Sequence, residues 1–304
     1  MRTRDVKIPG VHLPLLLLCS LAAAAGADTT PSSATTGSPS SLVVEVRNAA
    51  GAALESQSDP QKAALIYVAA YQPGDAIVVS APPQDKYLFV QVDDNVPESL
   101  VYSPTAQVNF PVPFGKLTTG YDPKAFTGAS HRITARVAGA TEITAYRNLA
   151  LNSLDQRNVS QYFPHAIASS VTRDDPMFFE RNAIDGNIQN KHHGKWPYES
   201  WGNGLNASPW FKLDFGREVT ADKVRFYIRS DFPHDTYWTN ATLQFSDGTL
   251  QDIVLQKTAT PQEFTFPEKK IRWIQLANFK QPTLPLGFAA LTEMEVYGKD
   301  LPQP

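Results

Sequence analysis

Between Ala183 and Asn203 the chain reads AIDGNIQNKHHGKWPYESWGN, which gathers Asp185, two adjacent histidines (His192, His193) and two tryptophans (Trp196, Trp201) into one short stretch. The segment is too polar and too rich in Gly and Pro for a regular strand or helix, so it reads as a long surface loop. Loops held by a rigid scaffold concentrate binding and catalytic residues. A competing reading is a loop whose tryptophans merely cover the core. A second polar and aromatic segment, RSDFPHDTYW (229–238), adds Arg229, Asp231, His234, Asp235 and Trp238, and Phe288 stands in a third, PTLPLGFAA. His192, His193, His234 and Asp235 have the chemistry of metal ligands, or of a general base with its orienting acid. Their spacing argues against it. Adjacent histidines point in opposite directions on an extended chain, and neither HExxH nor GxSxG occurs.

The elements that must position these loops are β-strands. WFKLDFG (210–216) and KVRFYIR (223–229) alternate apolar and polar residues, with Val224, Phe226 and Ile228 on one face and Arg225, Tyr227 and Arg229 on the other. Such alternation sends half of each strand into a core and leaves the other half for solvent or ligand. Thr242–Ser246 and Asp252–Gln256 flank an Asp247-Gly248 hairpin signal, and Arg272–Ala277 and Met294–Tyr297 complete about eight strands with no long helix. Trp210 and Trp273 fall inside strand patterns and are expected in the core. Upstream, LVVEVR (42–47), ALIYVAA (64–70), AIVVSA (76–81), YLFVQVD (87–93), Val108–Pro113 and Ile133–Val137 alternate with turn formers. They predict a first antiparallel sandwich or jelly roll over residues 42–140. Only Asp59–Leu65 suggests a turn of helix there. Its acidic loop, Asp93, Asp94 and Glu98, lacks metal-ligand spacing and is read as a solvated turn. TEITAYR (141–147) is expected to be a short helical connector, and residues 148–299 the second domain, followed by a tail, 300–304.

The first residues carry Arg2, Arg4 and Lys7, then an apolar run from Leu13 to Ala25 and a small-x-small site, Ala25-Gly26-Ala27, ahead of Asp28. This is a secretory signal peptide pattern over residues 1–27. Residues 28–41, rich in Ser, Thr and Pro, read as a linker. No segment offers the roughly 18 apolar residues of a membrane helix. The expectation is a soluble protein that is secreted, extracellular or periplasmic. Cys19 is the only cysteine in the chain. A lipidated Cys19 would want a small residue before it, and Leu18 stands there. Cleavage ahead of Asp28 leaves no thiol, hence no disulfide, cysteine metal site or cysteine nucleophile. The net charge moves from −3 to −5, because the leader carries three basic residues and one acid. A mildly acidic chain without basic clusters argues against nucleic acid or anionic membrane as main partner.

NLALN (148–152), NAIDGN (182–187), WFKLDFG, KVRFYIR and TEMEVYG (292–298) occur in an order that resembles the discoidin, or coagulation-factor type C, superfamily, over about residues 147–299. HGKWPYESWG, RSDFPHDTYW and FSDG more closely resemble a group of uncharacterised bacterial proteins described as carbohydrate-binding. FPVPFG (110–115) and KAFTG (124–128) extend that likeness into the first domain. The resemblance implies an all-β chain of two β-sandwich (jelly-roll) domains, the second galactose-binding-like, that holds a glycan or polysaccharide without catalysis. It also implies a structural calcium ion, Ca2+, with Asp185 giving a carboxylate, Ala183 and Asn187 carbonyl or amide oxygens, and Glu293 a distant carboxylate. Ile188 and Gln189 depart from the pattern, where the superfamily often has Thr or Ser. For the sugar, the resemblance points to His193, Trp196, Trp201, Arg229, Asp231, His234, Asp235, Trp238 and Phe288. Aromatic rings cover the apolar C–H face of a pyranose, and charged groups bond its hydroxyls. Two rivals stand beside this reading: a polysaccharide-active enzyme, and an adhesive protein contacting proteins or lipid head groups. Lipid binding in that superfamily uses exposed apolar loop tips, whereas these loops are polar and tryptophan-rich.

Overall fold

The computed structural model describes residues 39–232, 236–282 and 287–301, and these group as one compact unit. The leader, most of the linker, Cys19, His234, Asp235 and residues 302–304 lie outside the described residues. The first half folds as β1 (Leu42–Arg47), β2 (Ala53–Asp59), β3 (Lys62–Tyr67), β4 (Ala76–Ser80), β5 (Tyr87–Gln91), β6 (Ser99–Tyr102), β7 (Gln107–Pro111) and β8 (His131–Val137). They pair antiparallel in two sheets, ordered β2-β1-β4-β7 and β3-β8-β5-β6. Alternate residues of β1 and β3 point inward, and Val44, Val46, Leu65, Ile77, Leu88, Phe110 and Ile133 form the core between the sheets. That is the expected sandwich. The suspected helical turn at Asp59–Leu65 is instead the corner from β2 to β3, where the Asp59 carboxylate accepts from the amides of Gln61 and Lys62 at 2.9 and 2.8 Å. Asp competes well for backbone N–H groups in this way, which ends one strand and starts another. β2 carries no inward alternation because it is exposed along its whole length.

A short helix, α1 (Ala140–Thr144), leads into β9 (Arg147–Asn148), β10 (His165–Ala168), β11 (Trp201–Gly202), β12 (Phe211–Ile228), β13 (Asn240–Phe245), β14 (Leu250–Val254), β15 (Gln262–Lys280) and β16 (Ala290–Asp300). The order is β11-β16-β12-β15-β13-β14, with β10 on β12 and β9 on β16, all antiparallel. WFKLDFG and KVRFYIR belong to one bent strand. Residues 211–214 of β12 lie between β10 and β15, residues 219–226 between β16 and β15, and the register breaks between Asp214 and Val219. Strands pass between layers at such breaks. Gly216 sits in this one with φ +65°, and a Cβ there would stand 2.2 Å from the Phe163 ring. Val224, Phe226 and Ile228 are buried as expected. Tyr227 and Arg229, expected on an open face, are buried too, because the 183–203 loop packs over that end of the strand.

The two sandwiches are locked together. Leu154 and Tyr162, beyond the connector, complete the first core. Tyr102 and Phe163 exchange backbone bonds at 2.9 and 2.8 Å. Asp300 accepts from Arg217 Nη2 at 2.9 Å, from Arg147 at 2.5 Å and from the Tyr87 hydroxyl of the first sandwich at 3.0 Å. Removing one partner of a buried ion pair leaves the other charge desolvated. Asp300→Asn is therefore expected to lower the free energy of unfolding in urea by about 3 kcal/mol; a loss below about 1 kcal/mol would show that these guanidinium groups do not need the carboxylate.

Candidate functional site

The loop after Ala183 is held by two buried or half-buried amides. The Asn187 side chain donates to Pro197 O at 2.8 Å and to Glu199 Oε1 at 2.7 Å, closing the loop on itself. Asn190 donates to Ile228 O at 2.9 Å and to Ala259 O at 3.0 Å, and its carbonyl accepts from the Ser230 amide at 2.7 Å. Apart from the two residues of β11, the segment thus has no strand yet a defined path, held by these side-chain amides.

Four of the expected residues meet beside this path. His193 Nδ1 lies 2.6 Å from Asp231 Oδ2. Arg229 follows the end of β12, its amide donating to Ala290 O at 2.9 Å and its guanidinium to Phe288 O. Phe288 is 40% exposed, and the Arg173 guanidinium stands 5.9 Å from its ring centre. With Thr172, Phe178 and Gly202, the residues His193, Arg229, Phe288 and Arg173 line a cleft of about 90 Å3, and Asp231 holds the lining residue His193. Arg173, at φ +56°, was not singled out in the sequence, since nothing local marks a cation that reaches a phenyl ring 115 positions downstream.

The tryptophans divide differently from expectation. Trp201 and Trp238, expected to face a ligand, are 0% and 2% exposed and stack on each other at 5.8 Å, with Phe279 against both. This corrects the sequence reading: both indoles are sealed in the core and offer no face to a ligand. Trp201 enters because its residue starts β11, pairing with Leu291, and its indole N–H finds Ser170 O at 3.0 Å. Trp210 and Trp273, expected in the core, are only half-buried, and Lys212 Nζ stands 4.9 Å from the Trp273 ring. Trp196 is 37% exposed and lines a separate cavity of about 470 Å3, not the cleft that holds Arg229. His192 packs edge-on against Tyr198 at 4.9 Å. His234 and Asp235 lie outside the described residues.

Below the loop, three carboxylates are buried together. Glu293 Oε1 accepts from the Gly186 amide at 3.2 Å, Asp185 Oδ1 from the Asn187 amide at 3.0 Å, and Glu199 joins them through Asn187. Glu199 escaped the sequence reading because an acid in WPYESWG looks like a solvated loop residue. One cation, Arg181, approaches Asp185 at 3.7 Å. Burial pushes the Asp185 carboxyl up to about 7; Arg181 opposes the shift and Glu199 adds to it. Burial likewise raises Glu199, and raises Glu293 well above the ordinary range with the help of Asp185. Glu199 Oε2 and Glu293 Oε2 have no hydrogen-bond partner among the described residues. The excess negative charge and these bare oxygens fit an oxygen-seeking divalent cation. Among the described residues, however, no three acid, His or Cys side chains form a ready-made cage. A cation would have to draw on backbone oxygens as well, as expected for Ala183 and Asn187.

Residues 162–297 match the family described as a domain of unknown function, DUF7402. No curated protein matches the chain. Among solved structures, the chain is similar to chitosan-binding module 1 of a chitosanase/glucanase from Paenibacillus sp. IK-5, at 21% identity and a TM-score of 0.35, covering 50% of this chain and 98% of the module. It is similar to a Streptococcus pneumoniae fucose binding module, SpX-3, at 18% identity and a TM-score of 0.37, covering 50% and 98%. The family 32 carbohydrate-binding module of C. perfringens NanJ, solved with galactose, gives 19%, a TM-score of 0.34, and coverage of 43% and 91%. Likeness at these levels assigns no ligand to this chain.

The buried acids generate a pH dependence. Their folded-state pKa values lie above the unfolded ones, so their contribution to stability is complete below about pH 4 and is lost as pH rises through the folded values, the one for Asp185 standing at about 7. In chelator, the melting temperature of the protein is expected to fall between pH 5 and 8, and Asp185→Asn to flatten that slope. A melting temperature that stays level or climbs over this range would show that the carboxylates are not desolvated together.

Proposed function

We propose that this protein binds carbohydrate, holding a glycan at the loop cleft of its second sandwich without transforming it, and that it works after export and removal of its leader. The observation that carries the reading is the convergence of His193, Arg229 and the exposed face of Phe288 in one cleft, with Asp231 holding the His193 ring. An apolar ring beside an imidazole, a carboxylate and a guanidinium matches the two-sided surface of a pyranose, whose C–H face seeks the ring while its hydroxyls seek the polar groups. Arg229 is 3% exposed and tied to the chain at Phe288, so it is placed before the sugar arrives and little ordering cost remains. The cleft is shallow and small, suited to a single terminal sugar.

Calcium belongs to the same proposal. Asp185 and Glu293, with backbone oxygens of Ala183 and Asn187, would hold the ion, which would neutralise the buried charge and tie the loop to β16. The support is the pairing of uncompensated carboxylates with the Glu293 oxygen that lacks a partner. One observation favours a second reading. His193 held by Asp231 at 2.6 Å has the form of a general base with its orienting acid. Release of reducing ends from a polysaccharide panel would decide for it, and none is expected.

His193→Ala and Phe288→Ala are each expected to weaken retention on a glycan array by about tenfold or more at an unchanged melting temperature, since both side chains face solvent at the cleft. Full retention by both variants would move the site elsewhere. Calcium at a hundredfold excess over its dissociation constant is expected to raise the melting temperature by about 5–10 °C over chelated protein, and Glu293→Gln to remove that gain. A wild-type protein indifferent to calcium would dismiss the ion.

A further inference from the structure

The cavity of about 470 Å3 beside Trp196 plays no part in the cleft described above, and both sandwiches build it. Asn95 and Pro97 stand on the first sandwich's side, and Asn187, Gln189, Trp196 and Glu199 on the loop's side. Two features mark it as more than a gap between domains. Trp196 keeps 37% of its surface open although two neighbouring tryptophans, Trp201 and Trp238, are fully packed away. Glu199 lines the cavity, is 1% exposed, and has one oxygen on Asn187 and the other, Oε2, with no partner among the described residues. Buried acceptors are normally satisfied, so a bare one against a cavity calls for a donor from outside the chain.

We infer that this cavity is a second saccharide site, taking uncharged sugar units of a longer chain, with the first sandwich as its far wall. The inference rests on the glycan-binding reading of the protein. Trp196 would stack on a pyranose face, Glu199 would accept from a hydroxyl, and the side-chain amide of Gln189 lies at hand for others. The charge of the lining selects among saccharides. Asp122, Asp185 and Glu199 face a single cation, Arg181. Its guanidinium donates to the carbonyls of Asp155, Gly120 and Ser153, at 2.8, 3.0 and 3.3 Å. Even with calcium on Asp185, uronic or sulfated sugars would meet the Asp122 and Glu199 carboxylates while the guanidinium stays engaged, and are disfavoured.

Calorimetry on the full chain with cellohexaose, maltohexaose, the hexamer of N-acetylglucosamine and the hexamer of galacturonic acid tests this. At least one neutral hexamer should bind and the acidic one should not. Trp196→Ala and Glu199→Gln should each weaken that binding by about tenfold or more, and Asn95→Trp, an exposed position on the other sandwich, should block it while leaving the melting temperature unchanged. Neutral-hexamer binding that survives all three substitutions but not His193→Ala overturns the cavity site and leaves the cleft. Binding lost in the three and kept in His193→Ala supports the cavity and removes the cleft. Failure of the native chain to bind any of the four hexamers, or preference for the acidic one, overturns the inference, while the glycan reading, which needs only a terminal sugar in the cleft, stands or falls on the glycan array.

Discussion

The architecture turns on one buried guanidinium. Arg181 sits at the junction of the two sandwiches with its donors on Asp155 O, Gly120 O, Ser153 O and Asn182 Oδ1, and its plane 4.2 Å from the centre of the Tyr121 ring. A buried cation is tolerated only when its donors are met and a counter-charge is near. Gly120 and Tyr121 come from the first sandwich, Asp155 and Ser153 from the segment after the connector, and Asp185 from the loop. The requirement to satisfy one side chain therefore draws together pieces far apart in sequence. Arg fits this role better than Lys, because its planar fork addresses several carbonyls at once.

The placement of the loop follows. With Arg181 and Asp185 anchored, Asn187 bonded across the loop and Asn190 bonded to the end of β12, the path from 183 to 200 is determined without a strand. The loop then presents two faces. His193 closes a small cleft with Arg229 and Phe288, while Gln189, Trp196 and Glu199 look into the larger space toward the first sandwich. Groups held in place before a ligand arrives lose little freedom on binding, which favours recognition by modest numbers of contacts. The same rigidity has a cost in the acid cluster, where Asp185, Glu199 and Glu293 lie too close, and too far from water, to carry three charges comfortably.

Much of the scaffold could be read before the coordinates. KVRFYIR puts Val224, Phe226 and Ile228 inward, as the core confirms, and β1, β3, β4, β5, β7 and β8 lie where the apolar runs of the first half predict strands, whereas the four residues of β6 are too few to leave a pattern. β2 was missed because ALESQSD has no buried face to leave a pattern. The aromatic residues were the hard part. Trp196 and Trp201 stand five positions apart in one polar loop, yet one is exposed and the other lies in the core. An indole suits either place, so its type does not reveal its fate.

Local periodicity and turn chemistry thus determined the all-β class, the two strand-rich regions and the long polar loop that follows Ala183. They act over a few residues and leave their mark on the string itself. Tertiary structure decided that His193 meets Asp231 across 38 positions, that Glu199 joins an acid cluster with Glu293, and that Trp201 and Trp238 stack on each other. Such contacts depend on how long strands bend at register breaks and on which buried charge must be satisfied where. Those are properties of the assembled chain, since desolvation and Coulomb interaction depend on distance in space rather than along the sequence.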